Sequence, residues 1–365
     1  MVEPWVVPVA GPRVDGDCVT FELADPQRRL RGVRLEQELG IAGDELDFGY
    51  DGGVGRWVLR LPRPPVRRME YRLRVRRADG GTETVNDPAN DNRAPGAFGE
   101  KSVLELPGYA APAWLGSAPE PWVPSGELAV STGAGRIEVE VLSPPQQTRQ
   151  PTTQQTGRLL VAHDGPEYDR LAGLGAFAAA AVSANRVPPF HLALAAPGPR
   201  NERYSANPEY GAALATRVIP ALHDRLGTAG PVVLMGASLG GLAALHAQRR
   251  HPRGVAGLFL QSGSFFVPEH DECESRFRYY RRIIRYVASV HRAHRFSSPV
   301  PGVLTCGATE ENVHNNRLMA ATLRRQGYPT RLYEVPDMHN FTAWRDAFDP
   351  HLLELLNAVW GSGDA

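Results

Sequence analysis

Two patterns of apolar and polar positions divide the chain. Up to about residue 115 the pattern has period two, as in "RWVLRLP" (56–62) and "EYRLRVRRADGGTETV" (70–85). Strict alternation predicts strands with one buried face. Tyr71, Leu73 and Val75 would point inward and Arg72, Arg74 and Arg76 to water, with Asp79-Gly80-Gly81 as a hairpin turn. An antiparallel β-sandwich over residues 1–115 is the expectation.

In the remainder, 116–365, short apolar runs alternate with helical stretches: "RLLVAHDG" (158–165), "FHLALAAP" (190–197), "PVVLMGA" (231–237), "VAGLFLQSG" (255–263), "PGVLTCGA" (301–308) and "TRLYEVPD" (330–337). Strands that are apolar on both faces and separated by helices predict a mostly parallel sheet covered on both sides, an α/β domain. Between the two patterns, "ELPGYAAPAWLGSAPEPWVPSG" (105–126) has no periodicity and reads as a linker. The Gln- and Thr-rich "SPPQQTRQPTTQQTGR" (143–158) reads as an exposed loop.

One α/β junction carries candidate chemistry. Gly236-Ala237-Ser238-Leu239-Gly240 follows an apolar strand and precedes an Ala- and Leu-rich helix. In that context G-x-S-x-G has a mechanism: the serine occupies a strained strand-to-helix turn, and the glycines remove side chains that would clash. The Leu239 N–H, at the helix start, is then an oxyanion donor. A serine hydroxyl needs a base, and the chain order for this arrangement is serine, acid, histidine. Of the eleven histidines, His339 follows the last predicted strand, whereas His163, His246 and His291 read as structural. The acid belongs after the preceding strand, where "TCGATEEN" offers Glu310 and Glu311, with Glu310 favoured; Asp337 is a less suitable orienter from the histidine's own loop.

Composition narrows the function classes. The chain has 365 residues with 40 basic and 40 acidic side chains, so no global field favours nucleic acid or an anionic membrane. Three widely spaced cysteines form neither a metal-ligand cluster nor a disulfide pattern. With no signal-like start and no long apolar run, the expectation is a cytoplasmic, cofactor-independent enzyme that binds a small molecule, neither metal nor nucleic acid nor membrane.

Over nearly its whole length the chain resembles the enterochelin (enterobactin) esterases, within a larger esterase group that includes feruloyl esterases and mycolyltransferase antigens. "GASLGGLAALHAQRRHPRGVAGLFLQSGSFF" is similar to that family's nucleophile block. "HNFTAWRDAF" is similar to its histidine block, with His339, Trp344 and Arg345 at the family's spacing. "VNDPANDNRAPGAFGEKSVLELPGY" resembles the end of its immunoglobulin-like N-terminal domain. The resemblance implies an α/β-hydrolase fold and a serine esterase in which Ser238 attacks an ester carbonyl, His339 carries the proton and Glu310 or Glu311 orients the imidazole, with a siderophore ester as substrate.

It also implies a second oxyanion N–H just after "DG" of "HDGPEY", but Pro166 has none, which leaves Gly165 or Glu167. Arg203 and Arg217 stand where the family stretch is expected to carry Glu. These departures keep open a weakly active or ligand-binding homologue, and acyl transfer is a further alternative. Expected substrate contacts are Arg200, Trp344, Arg281 and Arg285. The last two lie in an Arg- and Tyr-rich segment, 274–296, that reads either as a lid over an anionic ligand or as the solvated face of an amphipathic helix, with Phe277, Tyr280, Ile284, Val287 and His291 on its apolar side.

Overall fold

The computed structural model describes residues 11–41, 43–145 and 157–361, so much of the Gln- and Thr-rich segment, 146–156, lies outside the described residues. The chain forms two compact units. One comprises residues 1–110 with the short segments 308–310 and 336–342, and the other comprises 111–307, 311–335 and 343–365.

Among the described residues the first unit holds nine strands: β1 (Arg13–Asp15), β2 (Cys18–Ala24), β3 (Leu30–Glu36), β4 (Gly49–Asp51), β5 (Arg56–Pro62), β6 (Arg68–Arg77), β7 (Thr82–Val85), β8 (Arg93–Ala94) and β9 (Lys101–Glu105). They make two antiparallel sheets, ordered β1-β2-β5-β4 and β3-β6-β9-β8, with β7 also paired to β6. One apolar core lies between them: Phe21 on β2 meets Tyr71 on β6 edge to face, ring centres 5.1 Å apart. Leu73 and Val75 are buried beside Tyr71, whereas Arg74 and Arg76 are exposed, so period two holds over this part of β6. It fails at the strand's start, where Arg68 and Glu70 are buried as well.

The described residues of the second unit form eight strands: β10 (Val123–Thr132), β11 (Gly135–Ser143), β12 (Leu159–His163), β13 (His191–Ala195), β14 (Val232–Ala237), β15 (Val255–Gln261), β16 (Gly302–Gly307) and β17 (Thr330–Val335). Their order is β10-β11-β13-β12-β14-β15-β16-β17, parallel from β13 to β17 and closed on one edge by the antiparallel β10–β11 hairpin. Every residue of β12, β14 and β16 is buried, as expected for a sheet covered on both faces. The last strand departs from that expectation: as the edge, β17 leaves Arg331 and Glu334 exposed.

The hairpin is an addition to the elements read from the sequence. Its first strand begins inside the stretch read as linker, and that stretch is itself anchored. Trp114 packs edge to face on Phe177, 5.6 Å between centres, and Trp122 packs likewise on Phe190 at 4.9 Å. In the basic segment a helix spans Tyr280–Arg292 and buries Tyr280, Ile283, Val287 and Val290. The buried stripe therefore runs one residue before Ile284 and His291, and Phe277 precedes the helix.

Candidate active site

The ends of neighbouring parallel strands carry backbone that L-residues seldom adopt. Asp164 follows β12 at φ 54°, ψ 36°; Ser238 follows β14 at φ 54°, ψ −122°; Ser262 follows β15 at φ 47°. A serine is held in that conformation only where the surroundings over-determine it. The Ser238 N–H donates to Gln261 O at 2.9 Å, and its carbonyl accepts from the N–H groups of Ser264 (3.1 Å) and Leu242 (3.3 Å). The helix Leu239–Arg250 starts at the next residue, so the N–H groups of Leu239 and Gly240 precede its first intrahelical bond and are available to an anion.

The glycine spacing has a measurable reason. A Cβ on Gly236 would lie 2.5 Å from the Gly240 carbonyl carbon, and one on Gly240 would lie 3.2 Å from His163 Cβ. Strand and helix can approach this closely only without those side chains. Ser264, which the sequence reading did not single out, places its Oγ 3.1 Å from Ser238 Oγ.

The turn after β12 is equally constrained. The helix Gly165–Ala172 begins directly after Asp164, and a Cβ on Gly165 would fall 2.2 Å from Leu194 Cα. Pro166 occupies the first turn of this helix, where an N–H would have no intrahelical acceptor. Arg200 grips the Asp164 carboxylate through Nε (2.8 and 3.0 Å) and Nη2 (2.9 Å). Its guanidinium, read from the sequence as a ligand contact, is thus engaged by a neighbouring side chain. Trp344 is also committed internally: buried, it donates from Nε1 to Ser262 Oγ at 3.1 Å and lies 6.3 Å from the Tyr168 ring. Arg281 and Arg285 are exposed on the helix Tyr280–Arg292, with Arg285 Nε on the Arg281 carbonyl.

Glu310 and His339 meet in the first unit. His339 Nδ1 lies 2.9 Å from Glu310 Oε2, and the carboxylate side chain is 1% exposed against 31% for the imidazole. An Nδ1–H donated to the carboxylate leaves Nε2 as the basic nitrogen. Glu311, by contrast, is exposed, and with burial as the main cause it helps push the Glu274 carboxyl above its ordinary value. Asp337 accepts from the Met338 N–H (2.8 Å) and from Arg68 Nε (3.4 Å).

The loop around His339 is fastened by residues that sequence reading passed over. Arg68 reaches Asp337 on one side of the histidine and Asn340 Oδ1 on the other, each at 3.4 Å. The Arg67 N–H donates to Pro336 O at 2.7 Å, and Met338 is part of the sandwich core. Nothing in the sequence separates Arg68 from Arg72, Arg74 and Arg76 on the same strand.

The three histidines read from the sequence as structural, His163, His246 and His291, have internal contacts. His163 is fully buried with Nδ1 on Met235 O at 3.0 Å, His291 Nδ1 meets Thr322 Oγ1 at 2.7 Å, and burial lowers the pKa of His246 to about 4. Arg203 is buried and donates to the backbone carbonyls of Pro197, Ala134 and Arg136, whereas Arg217 is exposed. Among the described residues no group of three or more His, Cys, Asp or Glu side chains is placed to hold a metal ion, and no helix is long and apolar enough to cross a membrane.

Residues 131–355 match the sequence profile of the family described as "Putative esterase". The chain belongs to this esterase family. An α/β-hydrolase-type fold and ester hydrolysis follow for it at the level of the family. No curated protein matches the chain by sequence. Among solved structures it is similar to the enterobactin esterase of Shigella flexneri, with TM-score 0.74 and 18% identity over 97% of this chain and 96% of that one. The ferric enterobactin esterase of Salmonella typhimurium gives TM-score 0.74 and 20% identity over 95% and 96%. A ferulic acid esterase matches less of this esterase, at TM-score 0.51 and 16% identity over 64% of the chain and 96% of its own. At these identities the likeness is one of fold.

Proposed function

We propose that the protein is a serine carboxylic ester hydrolase acting on a siderophore ester of the enterochelin type. The observation that carries the reading is Ser238 at φ 54°, ψ −122°, between β14 and a helix whose first N–H groups precede any intrahelical bond. In the mechanism Ser238 Oγ attacks the ester carbonyl while His339 Nε2 takes its proton. Glu310 holds the Nδ1–H and stabilises the imidazolium. The Leu239 N–H, with a second donor from Gly165 or Glu167, receives the oxyanion. His339 returns the proton to the departing alcohol, and water repeats the cycle on the acyl-enzyme.

The substrate class is supported by the neighbours that share the fold over the whole chain, one of them determined in the presence of enterobactin. Arg281 and Arg285 are offered as exposed contacts for an anionic catecholate. The immunoglobulin-like reading of the sandwich and the cytoplasmic location belong to the same proposal.

The test is product analysis by mass spectrometry with the cyclic trimer of dihydroxybenzoylserine, free and iron-loaded, against Ser238→Ala and His339→Ala. Linear trimer, dimer and monomer from the wild type alone support the proposal. Cleavage undiminished in either variant rejects the assignment, and binding without turnover favours the non-hydrolysing homologue suggested by Pro166.

A further inference from the structure

We propose that Arg200 is a positioning residue that cancels the charge of Asp164, so that a carboxylate built into the oxyanion end of the site does not oppose the negative charge formed during ester attack. The inference rests on the esterase reading. Asp164 is 5% exposed and held in left-handed backbone, with its N–H donated to Tyr204 Oη at 3.1 Å. Its carboxylate lies against the first turn of the nucleophile helix: a Cβ on Gly240 would sit 3.4 Å from Asp164 Oδ2.

The carboxylate is thus beside Gly240, the residue after Leu239 at the helix start, and in the same turn as Gly165, and Leu239 and Gly165 are among the donors proposed for the oxyanion. An uncompensated anion there would weaken these donors, and at short range, with the Asp164 side chain 7% exposed, that effect is large. Three bonds of 2.8 to 3.0 Å from one guanidinium remove it. The side chain reaches Asp164 by crossing the Tyr204 ring, 5.6 Å from its centre, so one tyrosine fixes both the backbone of the acid and the path of the base.

The experiment is a double-substitution cycle read with p-nitrophenyl butyrate, with thermal midpoints recorded for each variant. Arg200→Gln is expected to lower kcat by roughly 30- to 300-fold, with KM changed less than about threefold. Adding Asp164→Asn to it removes the stranded charge and should recover at least about tenfold of that loss. Should Arg200→Gln not fold, Arg200→Lys, which keeps the charge and loses the fork, carries the test and is expected to retain kcat within about tenfold.

A double variant as slow as Arg200→Gln, a loss that appears in KM, or a Lys variant as slow as a folded Gln variant overturns the inference. A wild type that hydrolyses no ester overturns the esterase reading and this inference with it. An active wild type with an additive cycle overturns the inference alone.

Discussion

Replacing Arg68 with methionine removes the cation that lies between Glu70 and Asp337 and beside Asn340. The Arg68 and Glu70 side chains are each 3% exposed and that of Asp337 is 9%, so water cannot take the place of the guanidinium. Stranding charges in this way typically costs about 3 to 5 kcal/mol. Two features lower the figure. The bonds, at 3.4 Å, are long for charge-assisted pairs, and Lys101 Nζ, 3.7 Å from Glu70 Oε2, stays in place. Glu70 can also escape its charge: burial already raises its pKa above the ordinary 4.5, against the pull of Arg68 and Lys101, and losing Arg68 raises it further.

A loss of about 3 kcal/mol at pH 8 is therefore expected, a large part of the 5 to 15 kcal/mol typical of a folded domain. The sign of the pH dependence follows from the direction of the shift. A carboxyl whose folded pKa is raised contributes stability that is fully present below its unfolded pKa and is lost as pH rises through the folded one. The gap between variant and wild type should thus be smaller at pH 5 than at pH 8. Urea unfolding of both proteins at the two pH values measures it. A loss under about 1 kcal/mol at pH 8, or a gap that narrows as pH rises, would refute the account of this cluster.

Glu310→Gln keeps the size of the acid but presents an amide to His339 Nδ1; kcat for a p-nitrophenyl ester should fall by about 10³ to 10⁴, and a loss below tenfold would remove Glu310 from the mechanism. Gly165→Ala puts a methyl 2.2 Å from Leu194 Cα and 2.6 Å from Ala195 N, both backbone atoms, so it should abolish folding or cost more than about 3 kcal/mol; a well-folded variant with an unchanged melting temperature would contradict the packing described. His246 is depressed from 6.5 to about 4 by burial, so it favours the folded state above pH 6.5, and that contribution, about 3 kcal/mol, is lost as pH falls to 4. His246→Gln should flatten the fall in melting temperature over that range, and an unaltered slope would show that other groups carry it.

The turn at Ser238 was legible because it is a local event: the glycine spacing, the apolar strand and the helix all fall within one short stretch, and the contact that demands Gly236 is with Gly240, four residues on. The histidine loop and the acid region were legible for a related reason, since each follows a strand whose apolar run is plain. The sequence favoured Glu310 over Glu311 but could not show which turns inward, because two identical side chains differ only in which way the chain turns after β16. Arg68 was hidden by parity. It shares the even register of Arg72, Arg74 and Arg76, and it is buried only because the start of β6 pairs with β9 and meets the segment 336–342. Asp164 and Arg200 are 36 positions apart and have no spacing signal at all. The β10–β11 hairpin escaped notice because its period-two pattern opens within a run of prolines and glycines.

The central claim is that Ser238 is an activated nucleophile, and the most direct measurement is covalent labelling with a fluorophosphonate, located by peptide mass spectrometry. The account predicts one phosphonate on Ser238 Oγ in the folded wild type, none in Ser238→Ala and strongly slowed labelling in His339→Ala. Labelling that persists in Ser238→Ala, or a folded wild type that stays unlabelled, would contradict it.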